Sequence, residues 1–278
     1  ETAAVTPAQA VTASAAQSGT ARPVSTGVAP EQFGAKGDGI ADDLQALQAA
    51  MQQASASGRP LELTAGAVYR FSSCLGLPSG LTIRGNGAVL LSDIQYPDLR
   101  EDRVAVELMK DSDGDRAHDV RLENVTFRAA DSCQANYMLR VMLARNVEFV
   151  GCTFDCEPNE WGRCAADLYG GNENIRFEGC VFRQMTSDAS GGIWVRNWTD
   201  RVESRNIRFQ NCEFYKSGAD ELLAVWGWGG AVRDVVLSGC SFYETQTQEA
   251  LDADHRPVWF ITLGQSGTTD VRMEDCTV

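Results

Sequence analysis

Four acidic residues in the second half of the chain could carry out acid–base chemistry, namely Asp167, Asp188, Asp220 and Glu221. Hydrolysis of a glycosidic bond uses two carboxyl groups, which lie about 5 Å apart in retaining enzymes and roughly 6.5 to 9.5 Å apart in inverting ones. Two structural alternatives compete with this use. Asp167 could form an ion pair with Arg140, and Asp220 could cap a corner of the chain. We therefore treat the four acids as candidate catalytic residues.

Aromatic and basic residues lie close to these acids in the sequence. Sugar rings present flat C–H faces, which suit stacking on exposed aromatic rings. The sequence therefore predicts a set of substrate-binding residues, namely Tyr169, Trp194, Arg196, Trp226 and Trp228. The alternative is that some of these rings cover the core or a contact between subunits.

The same residues permit a second chemistry, β-elimination. A lyase needs a base that removes the proton α to a uronate carboxylate and a cation that neutralises this carboxylate. Arg196 could take one of these roles, with Tyr169 or His255 as its partner. Hydrolysis needs no cofactor and calcium is expected only for a lyase, so we assign no metal ligands.

A nine-residue motif recurs along the chain and predicts how these residues are positioned. Its copies begin 27, 28, 32, 28 and 36 residues apart, at Asp119, Asn146, Asn174, Asn206, Asp234 and Asp270. Such a period indicates a solenoid of stacked repeats. Within each copy apolar and polar residues alternate up to a small or polar residue at a bend, and the alternation then resumes. The motif is typical of a strand, a corner and a second strand.

A third extended segment lies between successive motifs, so the sequence predicts an all-β fold, a right-handed parallel β-helix with three strands per coil. We align these segments on inward-facing residues, namely Val141, Leu168, Val195 and Val225. Coils stack about 4.8 Å apart. Asp167 would then lie about 9 to 10 Å from the Asp220–Glu221 pair, two coils away. This separation favours an inverting hydrolase, while Asp188 offers that pair a partner one coil away.

Nine cysteines are present, and five of them occupy the same position of the repeat: Cys152, Cys180, Cys212, Cys240 and Cys276. Stacking would place these five in one interior column, where a thiol acts as a small apolar group. Metal binding is disfavoured, because ligands must converge on a point. Cys156 and Cys164 flank a polar loop, and the sequence leaves open whether they form a disulfide.

Residues 33–43 (FGAKGDGIADD), followed by the apolar face of Leu44, Leu47 and Met51, resemble the N-terminal motif of the pectate-lyase-like β-helix superfamily. Residues 61–69 (LELTAGAVY) are similar to the first coil of that superfamily, which includes phage tailspike depolymerases, polygalacturonases and lyases. The resemblance implies a capping helix over the open end of the stack, with Asp42 or Asp43 as its cap. It also implies a polysaccharide substrate, a homotrimer, and an extracellular location on a phage tail or as a secreted protein.

Charge and composition exclude other classes of function. Lys and Arg total 24 against 38 Asp and Glu, a net charge of −14, which argues against nucleic acid as a partner. No run of about eighteen apolar residues is present, so we expect no membrane partner. Residues 1–30 are rich in Ala, Thr and Ser and predict a flexible linker or stalk. Residues 31–278 form the predicted β-helix domain, which we expect to be truncated because no closing cap follows the last repeat.

Overall fold

A computed structural model describes residues 27–96, 103–108, 115–156, 164–185, 192–197, 202–216, 221–227, 230–244, 259–264 and 267–278. The helices are a 3-10 helix at Pro30–Phe33 and α1 at Leu44–Ser57. The strands, in chain order, are β1 (Asp38–Asp42), β2 (Leu61–Glu62), β3 (Val68–Phe71), β4 (Leu75–Gly76), β5 (Thr82–Arg84), β6 (Val89–Ser92), β7 (Val104–Leu108), β8 (Ala117–Glu123), β9 (Thr126–Ala129), β10 (Tyr137–Met142), β11 (Ala144–Val150), β12 (Thr153–Asp155), β13 (Cys164–Tyr169), β14 (Glu173–Glu178), β15 (Val181–Met185), β16 (Ile193–Arg196), β17 (Ser204–Gln210), β18 (Glu213–Lys216), β19 (Glu221–Trp226), β20 (Val232–Ser238), β21 (Ser241–Glu244), β22 (Trp259–Gly264) and β23 (Thr268–Glu274).

These strands form three parallel sheets. Sheet I contains β2, β5, β8, β11, β14, β17, β20 and β23; sheet II contains β1, β3, β6, β9, β12, β15, β18 and β21; sheet III contains β4, β7, β10, β13, β16, β19 and β22. From β2 onward each strand pairs with the strand three positions later, so the chain passes once through every sheet per coil. The predicted parallel β-helix with three strands per coil is confirmed.

Stacked phenylalanines fill much of the core. Neighbouring rings of the sheet II column lie 4.8 to 5.1 Å apart and nearly parallel, and the column consists of Phe127, Phe154, Phe182, Phe214 and Phe242. A second column on sheet I meets it edge to face and consists of Phe149, Phe177 and Phe209. The alternation of the repeat produces both columns, because every second side chain of a strand faces the core.

The repeated cysteines are packing residues. Cys152, Cys180, Cys212 and Cys240 are buried free thiols, whereas Cys276, the last of the five, is free but only partly buried. Each donates to a main-chain carbonyl of the preceding coil, as Cys180 does to Phe149 O at 3.3 Å. Cys156 and Cys164 are also free and buried, so the structure contains no disulfide between them.

Helix α1 covers the first coil, as the N-terminal motif predicts. Leu44, Leu47 and Met51 are buried, and the helix packs against β2 and β4. Asp42 caps the helix by accepting a hydrogen bond from Leu44 N at 3.2 Å. Asp43 instead accepts from two main-chain N–H groups of the preceding glycine-rich turn. This carboxylate therefore holds the turn against the helix.

Two further findings concern the N-terminal limit of the domain and the membrane expectation. Val28, which the sequence assigned to the linker, pairs with Leu61 of the first coil in an isolated parallel bridge. None of the helices in the described ranges is both long enough and apolar enough to span a membrane.

Candidate active site

The outer face of sheet III carries the predicted site, and its register agrees with the prediction. The inward residues Val141, Leu168, Val195 and Val225 pair in sequence across four strands. Two outward rows flank them. One row contains Arg140, Asp167, Trp194 and Ala224, and the other contains Met142, Tyr169, Arg196 and Trp226.

Asp167 lies at the centre of this face, bound to two arginines. Arg196 donates from Nε to Asp167 Oδ1 at 2.8 Å and from Nη2 to Oδ2 at 2.9 Å. Arg140 donates from Nε to Oδ2 at 3.1 Å. We call these three residues the Asp167 cluster. The ion pair with Arg140 that the sequence offered as an alternative is present, and the bidentate pair with Arg196 is an addition.

Burial decides what the Asp167 cluster can do. Asp167 has no exposed surface, and the side chains of Arg140 and Arg196 are only 8% and 10% exposed. Burial alone would lower the pKa of Arg196, but the hydrogen bonds and charge of Asp167 outweigh it and raise this pKa above its usual value. The Asp167 carboxylate is therefore covered in this conformation, and the side chains that it directly holds in place are those of Arg140 and Arg196.

Aromatic rings cover the two guanidinium groups. The central carbon of the Arg140 guanidinium lies 4.7 Å from the centre of the Tyr137 ring, and that of Arg196 lies 5.0 Å from the Tyr169 ring and 4.1 Å from the Trp194 ring. Such contacts stabilise a cation that has lost water. Burial raises the pKa of Tyr137, so its hydroxyl stays protonated.

Sequence reasoning did not find Tyr137. Strict alternation would turn it inward together with Leu139 and Val141. Both Met138 and Leu139 are buried, however, so the alternation is broken at the start of β10 and Tyr137 faces the arginines. The consecutive apolar residues Met138 and Leu139 were the signal in the sequence that the alternation is broken here.

Trp194 and Trp226 extend the surface toward the later coils. Their ring centres are 5.6 Å apart and the planes are tilted by 36°. Gly264 is the register partner of Trp226, and a Cβ on Gly264 would lie 3.0 Å from Cδ1 and Nε1 of the indole. The indole therefore lies over a position without a side chain. Both tryptophans are half-buried, so part of each ring faces solvent.

Glu221 begins β19, two strands after β13 in sheet III, as the predicted two-coil separation from Asp167 requires. The main-chain carbonyl oxygen of Glu221 accepts a hydrogen bond from Gly192 N at 2.8 Å, and Glu221 is 6% exposed. The other predicted residues, Asp188, Asp220, Trp228 and His255, lie outside the described residues. Within the described ranges no group of three or more His, Cys, Asp or Glu is placed to hold a metal ion.

Several solved structures share this fold over most of the chain. ORF18 of Geobacillus virus E2 superposes with a TM-score of 0.69 at 16% identity, covering 90% of this chain and 48% of that protein. A mutant tailspike protein of the E. coli bacteriophage HK620, solved with a hexasaccharide, gives 0.52 at 13% identity and covers 90% and 56%. The Agl-KA catalytic domain gives 0.53 at 15% identity and covers 92% and 54%. The chain thus spans about half the length of these proteins, and at these identities the likeness concerns the fold.

Two comparisons were made at the level of sequence. No curated protein matches the chain. A family model described as "Rhamnogalacturonase A/epimerase, pectate lyase-like" matches residues 28–241.

Proposed function

The chain belongs to the rhamnogalacturonase A/epimerase, pectate-lyase-like family, and on this basis we propose that it binds and cleaves a polysaccharide along the outer face of sheet III. One observation carries the proposal. Three aromatic rings, those of Tyr137, Tyr169 and Trp194, cover the buried guanidinium groups of the Asp167 cluster, and the Trp226 ring lies beside Trp194 on the next coil. Rings offer stacking surfaces to sugars, and guanidinium groups donate to hydroxyl or carboxylate oxygens.

Our leading mechanism is glycoside hydrolysis by carboxyl groups. We assign Glu221, which begins β19 two strands after β13, as the candidate general acid, with Asp220 and Asp188 as its candidate partners. Asp167 then serves as a positioning residue: it holds Arg140 and Arg196 rigidly beneath the rings. This division of roles follows from the ion pairs: both oxygens of the Asp167 carboxylate already accept hydrogen bonds from the two arginines, and a general acid must present its proton to the leaving-group oxygen.

A second mechanism, β-elimination from a uronate-containing glycan, is favoured by the two adjacent guanidinium groups. In this mechanism Arg196 neutralises the uronate carboxylate and Tyr169 lies within the same cluster of rings. Removal of the proton from the carbon α to that carboxylate, for which Tyr169 is the candidate base, builds up negative charge that the cation must balance until the leaving group departs from the β-carbon. Calcium would enter only through this mechanism.

The biological setting that we propose is a tailspike-like depolymerase, acting outside the cell as a homotrimer on a phage tail or as a secreted protein. Its substrate would be a capsule or O-antigen. Support comes from the fold shared with ORF18 of Geobacillus virus E2 and with the HK620 tailspike, whose structure contains a hexasaccharide.

Product analysis tests the function. The purified chain is incubated with a panel of capsular polysaccharides and O-antigens, and new reducing ends are measured together with the ultraviolet absorbance of unsaturated uronates. Reducing ends alone indicate hydrolysis, and both signals together indicate elimination. Retention of a glycan without either signal would contradict cleavage and make the chain a binding protein.

Replacement of Glu221 tests its role in hydrolysis. Glu221→Gln should lower the rate of cleavage by about 10²- to 10⁴-fold, the usual contribution of general acid–base catalysis, while glycan binding persists. The matched control is Glu213→Gln, since Glu213 begins β18 on the same coil but belongs to sheet II. Unchanged turnover in Glu221→Gln would remove this residue from the site.

A further inference from the structure

A second concave surface lies on the outer face of sheet I, away from the proposed active site. This sheet I trough has a volume of about 520 Å³. Its floor is formed by Asn146, Asn174 and Asn206, and its wall by Arg121, Arg176 and Arg208. These residues come from β8, β11, β14 and β17, which are successive strands of sheet I. The sheet I trough therefore runs along the axis of the coil stack.

A backbone feature repeated in every coil produces the trough. Asn146, Asn174 and Asn206 have φ angles of 55° to 57°, in the left-handed region that asparagine tolerates better than most residues. The neighbouring residues on both sides stay in register with the adjacent strands. Each asparagine therefore lies opposite the asparagine of the next coil, so the left-handed residues stack in one column along the sheet.

The floor is a ladder of side-chain amides with unused hydrogen-bonding capacity. Asn174 Nδ2 donates to Asn146 Oδ1 at 2.9 Å, and Asn206 Nδ2 donates to Asn174 Oδ1 at 2.6 Å. An amide nitrogen carries two hydrogens. The second N–H of each amide forms no hydrogen bond within the described part of the chain, and the amides of Asn146 and Asn174 are exposed. The trough thus offers one free donor per coil.

The wall is polar but nearly balanced in charge. Arg121 contacts Glu123 at 2.6 Å and also Glu148, and Arg208 contacts Asp234 at 2.6 Å. Arg176 likewise contacts Glu148 and Glu178. Each guanidinium group already has a carboxylate partner, so the trough does not favour an anionic ligand. The side chains of Arg121 and Arg176 are 38% and 37% exposed and can still donate to hydroxyl groups.

We propose that the sheet I trough binds a linear, uncharged, hydroxyl-rich glycan, with one sugar on each coil. Stacked rings place neighbouring coils 4.8 to 5.1 Å apart, close to the advance of one pyranose in an extended chain. Sugar hydroxyls both donate and accept, as the amides, guanidinium groups and Glu148 require. A protein partner would use aromatic or large apolar anchors, and none of the exposed large apolar residues among those described lies in the trough.

Binding of oligosaccharides of increasing length tests the proposal. The full chain is titrated calorimetrically with uncharged linear series of two to six units, namely cello-, malto- and manno-oligosaccharides. Because four coils form the trough, the affinity for at least one series should rise up to about four units and then level off. No binding by any series, or binding only of oligogalacturonate as an acidic control, would overturn the proposal.

Two arginines of β17 provide a matched pair of variants. Arg208 lines the trough, whereas Arg205 lies on the same strand outside it and is paired with Glu173 at 2.7 Å. Arg208→Ala should weaken the binding about tenfold, and Arg205→Ala should change it less than twofold. Equal effects of the two variants would contradict the trough as the binding site.

Two further measurements separate this site from the proposed active site and from self-association. Trp226→Ala should leave binding in the trough unchanged, and Arg208→Ala should leave the cleavage rate of a polysaccharide unchanged, so each proposal can fail alone. If sedimentation shows instead that Arg208→Ala disrupts an oligomer, the trough contacts a second copy of this chain and the glycan proposal is wrong.

Discussion

Two arginine–aspartate–arginine clusters lie on successive strands of the chain and differ in how much water reaches them. On sheet II, Asp155 accepts from Arg128 at 3.3 Å and from Arg183 at 2.9 Å. We call this the Asp155 cluster. Its arginine side chains are 40% and 46% exposed, against 8% and 10% in the Asp167 cluster. Both aspartates are buried, at 3% and 0% exposed, so the two clusters differ in their arginines, which water reaches on sheet II but hardly on sheet III.

The difference has a local cause. On sheet II, Arg183 directly follows Asp155 in the register row. On sheet III, Trp194 occupies the equivalent position after Asp167, and the guanidinium group comes from Arg196, two residues further along β16. The aromatic rings then exclude water from the charges, which strengthens their attraction and makes loss of one partner costly. This arrangement distinguishes a candidate site from an ordinary surface ion pair.

Removal of the central aspartate should produce the largest difference in stability between the two clusters. Asp167→Ala should lower the free energy of unfolding by about 3 to 5 kcal/mol, because it removes the buried carboxylate that both guanidinium groups bind. Asp155→Ala should cost only about 1 kcal/mol, since water can solvate its arginines. Urea denaturation of both variants measures the difference. Equal losses would mean that burial does not distinguish the two clusters.

Removal of an aromatic ring should have the next largest effect. Trp226→Ala should weaken binding of the polysaccharide substrate to sheet III by about 1 kcal/mol, roughly fivefold, because one stacking surface is lost. Tyr243→Ala is the control: Tyr243 stacks on Tyr215 at 4.7 Å on sheet II and is 42% exposed. Calorimetric titration should show no change for that control. A comparable loss in both variants would place the glycan elsewhere.

A smaller effect is expected from the glycine beneath Trp226. Gly264→Ala would bring a methyl group within 3.0 Å of the indole. The indole must then shift, at a cost of about 0.5 kcal/mol and roughly twofold in affinity. Gly76→Ala, also on sheet III, meets no atom within 4 Å and should leave binding unchanged. Full affinity in Gly264→Ala would show that the indole position is not critical.

Salt should change the coupling free energies of the two clusters least of all, but it should affect only one of them. At about 1 M salt the screening length falls to about 3 Å, so exposed charges no longer interact measurably. Double-mutant cycles should show that the coupling between Asp155 and Arg183 disappears, a change of a few tenths of a kcal/mol, while that between Asp167 and Arg196 persists. Loss of both couplings would indicate that water reaches the Asp167 cluster.

The sequence by itself determined the coil and its register. Period-2 alternation leaves one solution, because a shift by one residue would turn every core side chain outward. The recurring motif therefore placed the phenylalanine and cysteine columns inside, and the rows that contain Asp167 and Trp194 outside. Both placements are confirmed. Pairing by register also anticipated the contact between Arg140 and Asp167, since these residues are direct neighbours on adjacent strands.

Only the tertiary structure decided which side chains meet. Arg196 reaches Asp167 diagonally, and Tyr137 faces outward because the alternation fails at the start of β10. The sheet I trough depends on left-handed asparagines that alternation does not reveal. Each of these features depends on side-chain rotamers or on backbone angles at single residues. A repeat pattern specifies neither, because it reports only which face of the sheet a position lies on.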